Sequence, residues 1–240
     1  METYDANPYA ELPRRAPEPA LRRLPTYHRF LKRLQGQGRA AVSCTHIADD
    51  LALDPTQVRK DLALTGIVGR PKVGYEVPAL IAAIEHFLGW DNTTEAFLAG
   101  AGSLGTALMG YEGFREHGLD IVAAFDVDDA KVGQLIHGKR VMPVRKLPNL
   151  AQRMHIHLGI ITTPADSAQQ IADLMIEGGI KGLWNFAPVS LKVPADIIVE
   201  NVQLSSSLAV LSQRLLSATA VEPMLDLLAA YAFWAGSGHH

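Results

Sequence analysis

The stretch FLAGAGSLGTAL at 97–108 constrains the fold more than any other part of the chain. A short apolar run enters a glycine-rich turn, and a segment of helical periodicity leaves it. Gly100 permits a tight turn, Gly102 lets the backbone approach a pyrophosphate, and Gly105 lets the helix pack closely on the strand. The turn therefore predicts a strand–turn–helix unit that holds a dinucleotide, with a purely packing role as the alternative.

A carboxylate at the end of the next predicted strand supports the dinucleotide interpretation. Asp126 ends that strand 21 residues after Gly105, where it is placed to accept hydrogen bonds from the adenosine ribose. It would repel a 2′-phosphate, and no arginine directly follows it, so we expect NAD(H) rather than NADP(H). Two later strand ends, Thr162-Thr163-Pro164 and Asn185-Phe186-Ala187-Pro188, should line the same crevice.

The elements beyond residue 91 alternate between β and α, which predicts a Rossmann-type parallel sheet over 89–205. No obvious proton donor stands at the predicted strand ends, and only about 35 residues follow the sheet, too few for a substrate lobe. The sequence therefore indicates binding rather than catalysis. His155 and His157, expected on a strand, lack a nearby acid or cysteine for a metal site, and the single cysteine, Cys44, is expected to pack.

The N-terminal part of the chain has the pattern of a winged helix-turn-helix domain over 25–88. Residues 1–24 contain four prolines and are expected to form a mobile arm. Helical periodicity begins at TYHRFLKRLQ, and Ser43 or Thr45 would cap a second helix.

A third helix in DPTQVRKDLALTG begins with Asp54 as its predicted N-cap. Val58 and Leu62 point inward, so the outer face would carry Gln57, Arg59, Lys60 and Asp61. Two β-rich runs, Ile67-Val68 and 73–77, then flank a basic turn and predict a two-stranded wing.

Charge is distributed unevenly along the chain. Residues 22–75 carry ten Lys or Arg and four acids, a net +6, against −9 for the rest. A basic small module on an acidic body indicates a polyanion partner, with a merely solvated surface as the alternative. The residues expected to contact DNA are Gln57, Arg59, Lys60, Arg70 and Lys72.

The C-terminal part of the sequence predicts helices for dimerisation over 206–235. SSSLAVLSQRLLSA is a predicted helix, and VEPMLDLLAAYAFW is a second one, apolar enough to need a partner surface. Residues 236–240, GSGHH, look like a tag remnant. No stretch of 18 apolar residues and no signal-type segment exists, so no membrane partner is expected and a cytoplasmic location is.

Several stretches together resemble the Rex family of redox-sensing transcriptional repressors. The resemblance implies a winged-helix domain joined to an NAD(H)-binding Rossmann domain, and a homodimer whose C-terminal helix is swapped between subunits. It also implies that NADH favours release from operator DNA. The matching stretches are QVRKDL at 57–62, VGY at 73–75, GAGSLGTAL at 100–108, GYEGF at 110–114, FDVD at 125–128, KVG at 131–133, IITTPA at 160–165, AQQIAD at 168–173 and GIKGLWNFAP at 179–188.

The resemblance also assigns residues near the nicotinamide, where Ser103, Tyr111 and Gln203 would form a network and Leu204 would come from the partner subunit. The complete set of candidate NADH/NAD+ residues is Gly100, Ala101, Gly102, Ser103, Leu104, Gly105, Tyr111, Asp126, Val127, Lys131, Thr162, Thr163, Pro164, Asn185, Phe186, Ala187, Gln203 and Leu204. No catalytic or metal-binding residue is expected.

The sequence departs from the family pattern at four places and leaves two other functions open. The departures are 63–66 after QVRKDL, Pro71-Lys72 in the wing, Ser103 in the glycine turn, and Gln203, where an acid is common. One alternative is an NAD(H)-sensing subunit that acts on a protein partner and has lost operator binding. The other is an NAD-dependent oxidoreductase.

Overall fold

The computed structural model describes residues 16–203 and 205–219. The described residues form two compact units. The first contains residues up to Glu95 together with Tyr111–Ile121, and the second contains Ala96–Gly110 together with residues from Val122 onward. This division differs from the predicted boundary at 88/89, because the chain returns to the first unit after its first visit to the second.

The first unit is a small helical domain with a two-stranded sheet, as the winged-helix prediction requires. Its two predicted N-caps are present: Ser43 accepts from the His46 amide at 3.1 Å, and Asp54 accepts from the Gln57 amide at 2.9 Å. Each cap satisfies an amide that the helix itself leaves unbonded. The elements are α1 (Glu18–Gly36), β1 (Ala41–Val42), α2 (Cys44–Leu51), α3 (Pro55–Ala63), β2 (Tyr75–Glu76) and α4 (Val77–Leu88).

The first helix begins earlier than predicted. Helix α1 starts at Glu18, so residues 18–24 are helical, and the expectation of a mobile arm over 1–24 is wrong for this part. Leu24 is fully buried, and Pro25 lies within the helix. Burial of Leu24 and its neighbours stabilises a turn of helix whose proline content predicted irregular structure. Residues 1–15 lie outside the described part of the chain.

The wing also differs from the prediction. Ile67 and Val68 form no strand; instead β2 pairs antiparallel with β1, with Val42 opposite Tyr75. The basic turn is closed by a single bridge, in which the Arg70 amide donates to the Gly74 carbonyl at 2.7 Å. A side chain on Gly74 would overlap the Val42 carbonyl, so this glycine permits the close approach of the two strands.

The second unit contains the predicted Rossmann-type sheet with helices. The strands and helices are β3 (Thr94–Ala99), α5 (Ser103–Met109), β4 (Leu119–Asp126), β5 (Leu135–Ile136), β6 (Lys139–Pro143), α6 (Leu147–Met154), β7 (Leu158–Ile161), α7 (Ala165–Glu177), β8 (Gly182–Asn185) and β9 (Ile198–Asn201). Short 3-10 helices occupy Glu112–His117 and Val144–Lys146.

Strand order places the candidate site at the carboxyl ends of two central strands, β3 and β4. The order is β5-β6-β4-β3-β7-β8-β9; β5 runs antiparallel to β6, and β7 is parallel to both β3 and β8. Adjacent β3 and β4 lead into the glycine turn and to Asp126. In a doubly wound sheet, ligands bind outside the carboxyl ends of strands at such a switch in order.

Three local predictions in the second unit are wrong or incomplete. The β5–β6 hairpin and α6 were not predicted, since each of these elements is short. His155 caps α6 in a left-handed conformation (φ 54°), and His157 precedes β7, so neither histidine lies on a strand. The carbonyl of His157 accepts from the Gly182 amide at 2.9 Å, which ties this loop to β8.

The last described segment, 205–219, is helical, as predicted, and each of its residues is exposed. Its large exposed apolar side chains are Leu208, Val210, Leu211, Leu215 and Leu216. The predicted helix over 221–234 and the predicted tag remnant at 236–240 lie outside the described residues. Within the described part of the chain, no helix is long and apolar enough to cross a membrane.

Candidate functional site

A side chain would have a different effect at each of the three glycines of the turn. Gly100 has a φ of 104°, and a side chain there would press on the Thr162 carbonyl carbon at 2.8 Å. A side chain on Gly105 would overlap the Gly100 carbonyl oxygen, because α5 lies directly against the turn. At Gly102 an added Cβ would meet no protein atom within 4 Å. Packing thus requires glycine at positions 100 and 105, whereas no packing contact requires it at position 102, which faces the cleft.

Asp126 holds the glycine turn against the end of β4. Its Oδ2 accepts from the Ala101 amide at 2.8 Å and from Lys131 Nζ at 3.1 Å, and its Oδ1 accepts from the Asp128 amide at 2.9 Å. Burial alone would raise the pKa of this carboxyl, but the Asp128 amide, Lys131 and the Ala101 amide together hold its pKa below the usual range. A carboxylate has about four acceptor positions, so room remains for one further donor, such as a ribose hydroxyl.

A cleft of about 530 Å³ opens beside the turn in the second unit. Ten of the predicted cofactor residues line it: Gly100, Gly102, Leu104, Asp126, Val127, Lys131, Thr162, Thr163, Pro164 and Phe186. Five residues that were not predicted also line it: Phe125, Asp128, Val144, Ser167 and Ile171. The FDVD stretch could have indicated Asp128. Val144 and Ile171 lie on separate elements, and no spacing in the sequence relates these elements to the turn.

Two neighbouring threonines at the end of β7 behave differently. The Thr162 hydroxyl points at the Gly100 carbonyl, 2.8 Å away, and so supports the turn. The Thr163 hydroxyl is buried and has no hydrogen-bond partner among the described residues. An unsatisfied buried hydroxyl is costly, and this one exposes almost no surface through which a bound molecule could bond it. The part of the site that is open to a ligand is therefore the cleft beside Gly102 rather than the Thr163 hydroxyl.

A second cleft, of about 480 Å³, contains the other end of the predicted site. Phe186, Ala187 and Gln203 line it, and the exposed Gln203 accepts from the Ser206 hydroxyl at 3.0 Å. Asn185 lines neither cleft. It is fully buried, where its amide nitrogen donates to the Val189 carbonyl and its oxygen accepts from the Ala187 amide, so it supports the loop rather than facing a ligand.

The remaining predicted cofactor residues have mixed positions. The Ala101 backbone bonds Asp126, Gly105 is buried in the turn, and Ser103 is exposed at the start of α5. Tyr111 belongs to the first unit, where its ring packs edge-on against Phe114 at 4.9 Å, and its role toward the nicotinamide stays a prediction. Leu204 lies outside the described residues.

The outer face of α3 matches the sequence prediction except at Asp61. Arg59 and Lys60 are exposed, as are Arg70 and Lys72 in the wing, where Arg70 pairs with Glu76 at 3.0 Å. Asp61, predicted to lie outside, is only 2% exposed. It is buried because Arg23 on the unexpected first part of α1 reaches it at 2.7 Å, a contact that helix periodicity alone could not reveal.

Other candidate sites have little support. Within the residues that the structure describes, no group of three His, Cys, Asp or Glu side chains is arranged to hold a metal ion. Cys44 is buried at the start of α2, in agreement with a packing role.

Comparisons with known proteins agree on one family. Residues 91–189 match the CoA binding domain model, and residues 15–63 match the model described as a putative DNA-binding protein N-terminus. The Redox-sensing transcriptional repressor Rex of Treponema denticola is 48% identical over 80% of this chain and 92% of its own length. The protein of the same name from Bacteroides fragilis is 45% identical over 84% of this chain and 91% of its own length.

Solved structures are similar over most of the chain. The structure of RSP, a Rex-family repressor, in complex with β-NAD+ and operator DNA has a TM-score of 0.81 and 34% identity, covering 88% of this chain and 98% of RSP. RSP in complex with β-NADH has a TM-score of 0.78 at the same 34% identity, covering 87% of this chain and 98% of RSP.

Two glycine substitutions should separate ligand binding from folding. Gly102→Ala places its Cβ in open space at an ordinary φ, so we expect near-normal thermal stability but at least tenfold weaker NADH binding. Gly105→Ala overlaps the Gly100 carbonyl, so we expect a loss of about 1–3 kcal/mol of stability. Thermal unfolding and calorimetric titration measure the two effects. Unchanged NADH affinity in Gly102→Ala would show that the ligand does not approach the turn there.

Proposed function

The chain belongs to the Rex family of redox-sensing transcriptional repressors, and we propose that it binds operator DNA and releases it when NADH occupies its Rossmann unit. The observation that carries the proposal is the glycine turn, in which two glycines are required by packing while Gly102 faces the open cleft that Asp126 and Lys131 also line. The cytoplasm, where DNA and NADH occur together, is the place of action that this function requires.

The first unit supplies the DNA-binding part of the proposal. Helix α3 would enter the major groove with Gln57, Arg59 and Lys60 on its outer face. Lys60, Arg70 and Lys72 would contact phosphates, and such contacts make affinity salt-dependent because they release counterions.

The second unit supplies the cofactor-binding part. The cleft residues around the turn would hold the pyrophosphate and adenosine, and Asp126 keeps an acceptor position for a ribose hydroxyl. Its negative charge disfavours a 2′-phosphate, although Lys131 at 3.1 Å partly offsets that charge. We propose NAD(H) as the ligand. We propose that the bound nucleotide is measured rather than consumed, because Asp126 and Lys131 in the cleft bond each other and the glycine turn rather than standing free for proton transfer.

Redox discrimination depends on the charge difference between NAD+ and NADH. At the nicotinamide end we place Gln203 with Ser103 and Tyr111, and Leu204 of the partner subunit beside them. Gln203 keeps hydrogen-bonding capacity but lacks the negative charge that many family members have there. A ligand shifts an equilibrium only by its differential affinity for the two states. The preference for NADH over NAD+ is therefore smaller here than in a relative with the acid.

A sensor of NAD(H) that acts on a protein partner is the second candidate. It is favoured by the departures next to α3 and in the wing, where residues 63–66 and Pro71-Lys72 replace common family residues. The NAD-dependent oxidoreductase remains a third. Failure to retain any of the organism's own upstream regions in a gel shift, with NADH binding intact, would favour the protein-partner sensor. Turnover of NADH with simple carbonyl acids would favour the oxidoreductase.

Neutralising the outer face of α3 tests DNA binding directly. Arg59→Ala with Lys60→Ala should abolish retention of upstream DNA in a gel shift, because two cationic contacts are lost, and should leave NADH affinity unchanged. Arg153→Ala with Lys192→Ala removes the same charge from exposed positions of the second unit and serves as the control. Undiminished DNA binding in the α3 double variant would contradict the assignment.

Restoring the acid at position 203 tests the redox switch. Gln203→Asp should increase the ratio of NADH to NAD+ affinity several-fold, a modest effect because solvent screens this exposed side chain. Gln203→Asn, equal in size to Asp but neutral, is the matched control. Calorimetric titrations with both cofactors give the ratio. An unchanged ratio in Gln203→Asp excludes position 203 from the switch.

Dimerisation through the C-terminal part of the chain completes the proposal. The exposed apolar residues of 205–219 need a covering surface, and the apolar segment 221–234 would pack on a partner subunit. Truncation after Ala220 should therefore yield a monomer or an aggregate in light scattering. Truncation after Ala235 removes only GSGHH and should keep the dimer. A monodisperse monomer that binds operator DNA after the first truncation would refute the swapped helix.

A further inference from the structure

A buried carboxylate on α3, Asp61, accepts four hydrogen bonds where this helix meets α1. Asp61 Oδ2 accepts from Arg23 Nε at 2.7 Å and from the Tyr27 hydroxyl at 2.7 Å. Asp61 Oδ1 accepts from Arg23 Nη2 at 2.9 Å and from Gln57 Nε2 at 2.8 Å. Three of these bonds come from α1, and the fourth comes from the outer face of α3 itself.

The charge state of this cluster is well defined. Burial alone would raise the pKa of Asp61, but the hydrogen bonds from Arg23, Tyr27 and Gln57 hold its pKa below the usual range. Burial and the nearby carboxylate raise the pKa of Tyr27, so the phenol keeps its proton and donates. Asp61 is therefore an anion and an acceptor only.

An acceptor-only partner determines which way the Gln57 carboxamide points. Oε1 of Gln57 would repel the carboxylate, so Nε2 faces Asp61. One of the two Nε2 protons is used in that bond. The other proton and Oε1 remain on the half-buried side chain, at a fixed position on the predicted recognition surface. The free groups of Gln57 are therefore one donor, the second Nε2 proton, and one neighbouring acceptor, Oε1.

We propose that Asp61 is a positioning residue for DNA reading, which anchors α3 to α1 and orients Gln57 to prefer adenine at one operator position. Adenine presents an N7 acceptor next to an N6 donor in the major groove, which complements the free Gln57 groups. Guanine presents two acceptors, and one of these would face Oε1. The proposal rests on the DNA-binding function above and adds a base preference to it.

Selection from a randomised duplex pool by the full-length chain, followed by titration of single-base variants, tests the preference. The wild type should favour adenine at one position by about tenfold. Asp61→Asn can donate to Gln57 and so frees the amide to turn over; it should lose that preference, as should Gln57→Met. Arg23→Met with Asp61→Asn leaves no unpaired buried charge and should give the same loss where Asp61→Asn alone is too unstable.

Tyr27→Phe is the matched control. It removes a buried hydrogen bond from the same carboxylate but on Oδ2, away from Gln57, so it should lower thermal stability and keep the adenine preference. If Asp61→Asn and Tyr27→Phe both weaken binding equally to all bases, Asp61 is only structural and the proposal is wrong.

A measurement without DNA separates this proposal from the function on which it rests. In the free wild type, NMR should show the Gln57 side-chain amide protons exchanging at least tenfold more slowly with solvent than in Asp61→Asn. Equal exchange in the two proteins overturns the positioning role. Slow exchange with no DNA selected from the pool would instead contradict operator binding while keeping the Asp61–Gln57 contact.

Discussion

The hydrogen bond from the Ala101 amide to Asp126 is the contact on which the candidate dinucleotide site depends. It joins the glycine turn after β3 to the end of β4, at 2.8 Å, in a place where Asp126 is only 8% exposed. Lys131 and the Asp128 amide offset the cost of burying the charge. Because Asp126 holds the turn, α5 can pack on the Gly100 carbonyl. The backbone of the glycine turn then lines one side of the cleft, and residues at the strand ends line the other.

The first unit also contains a buried carboxylate that is paired with a basic side chain. Asp61 on α3 is buried, and Arg23 of α1 pairs with it through two nitrogens, a geometry stronger than a single contact. In each unit a buried carboxylate bonds a neighbouring element and is neutralised by a basic side chain. Asp126 holds the backbone of the glycine turn, and Asp61 holds the Gln57 side chain on α3.

The cleft and the basic outer face of α3 belong to different units of the chain. The cleft is lined by the glycine turn together with Asp126, Asp128 and Lys131, which are groups that can hold a nucleotide. A bound ligand changes the state of another surface only through a difference in affinity between two conformations. Gln203 is neutral and exposed, so it carries no charge that could contribute to such a difference.

Sequence by itself determined the Rossmann-type unit, both helix caps and most of the cleft, because glycine spacing, cap residues and strand ends act locally or through a general rule of sheet topology. Tertiary structure alone decided that Asp61 is buried, that β2 pairs with β1, and that Val144 and Ile171 reach the cleft. These features depend on segments distant in the chain. Periodicity reports which face of an element is apolar, but not which charge another helix brings to it.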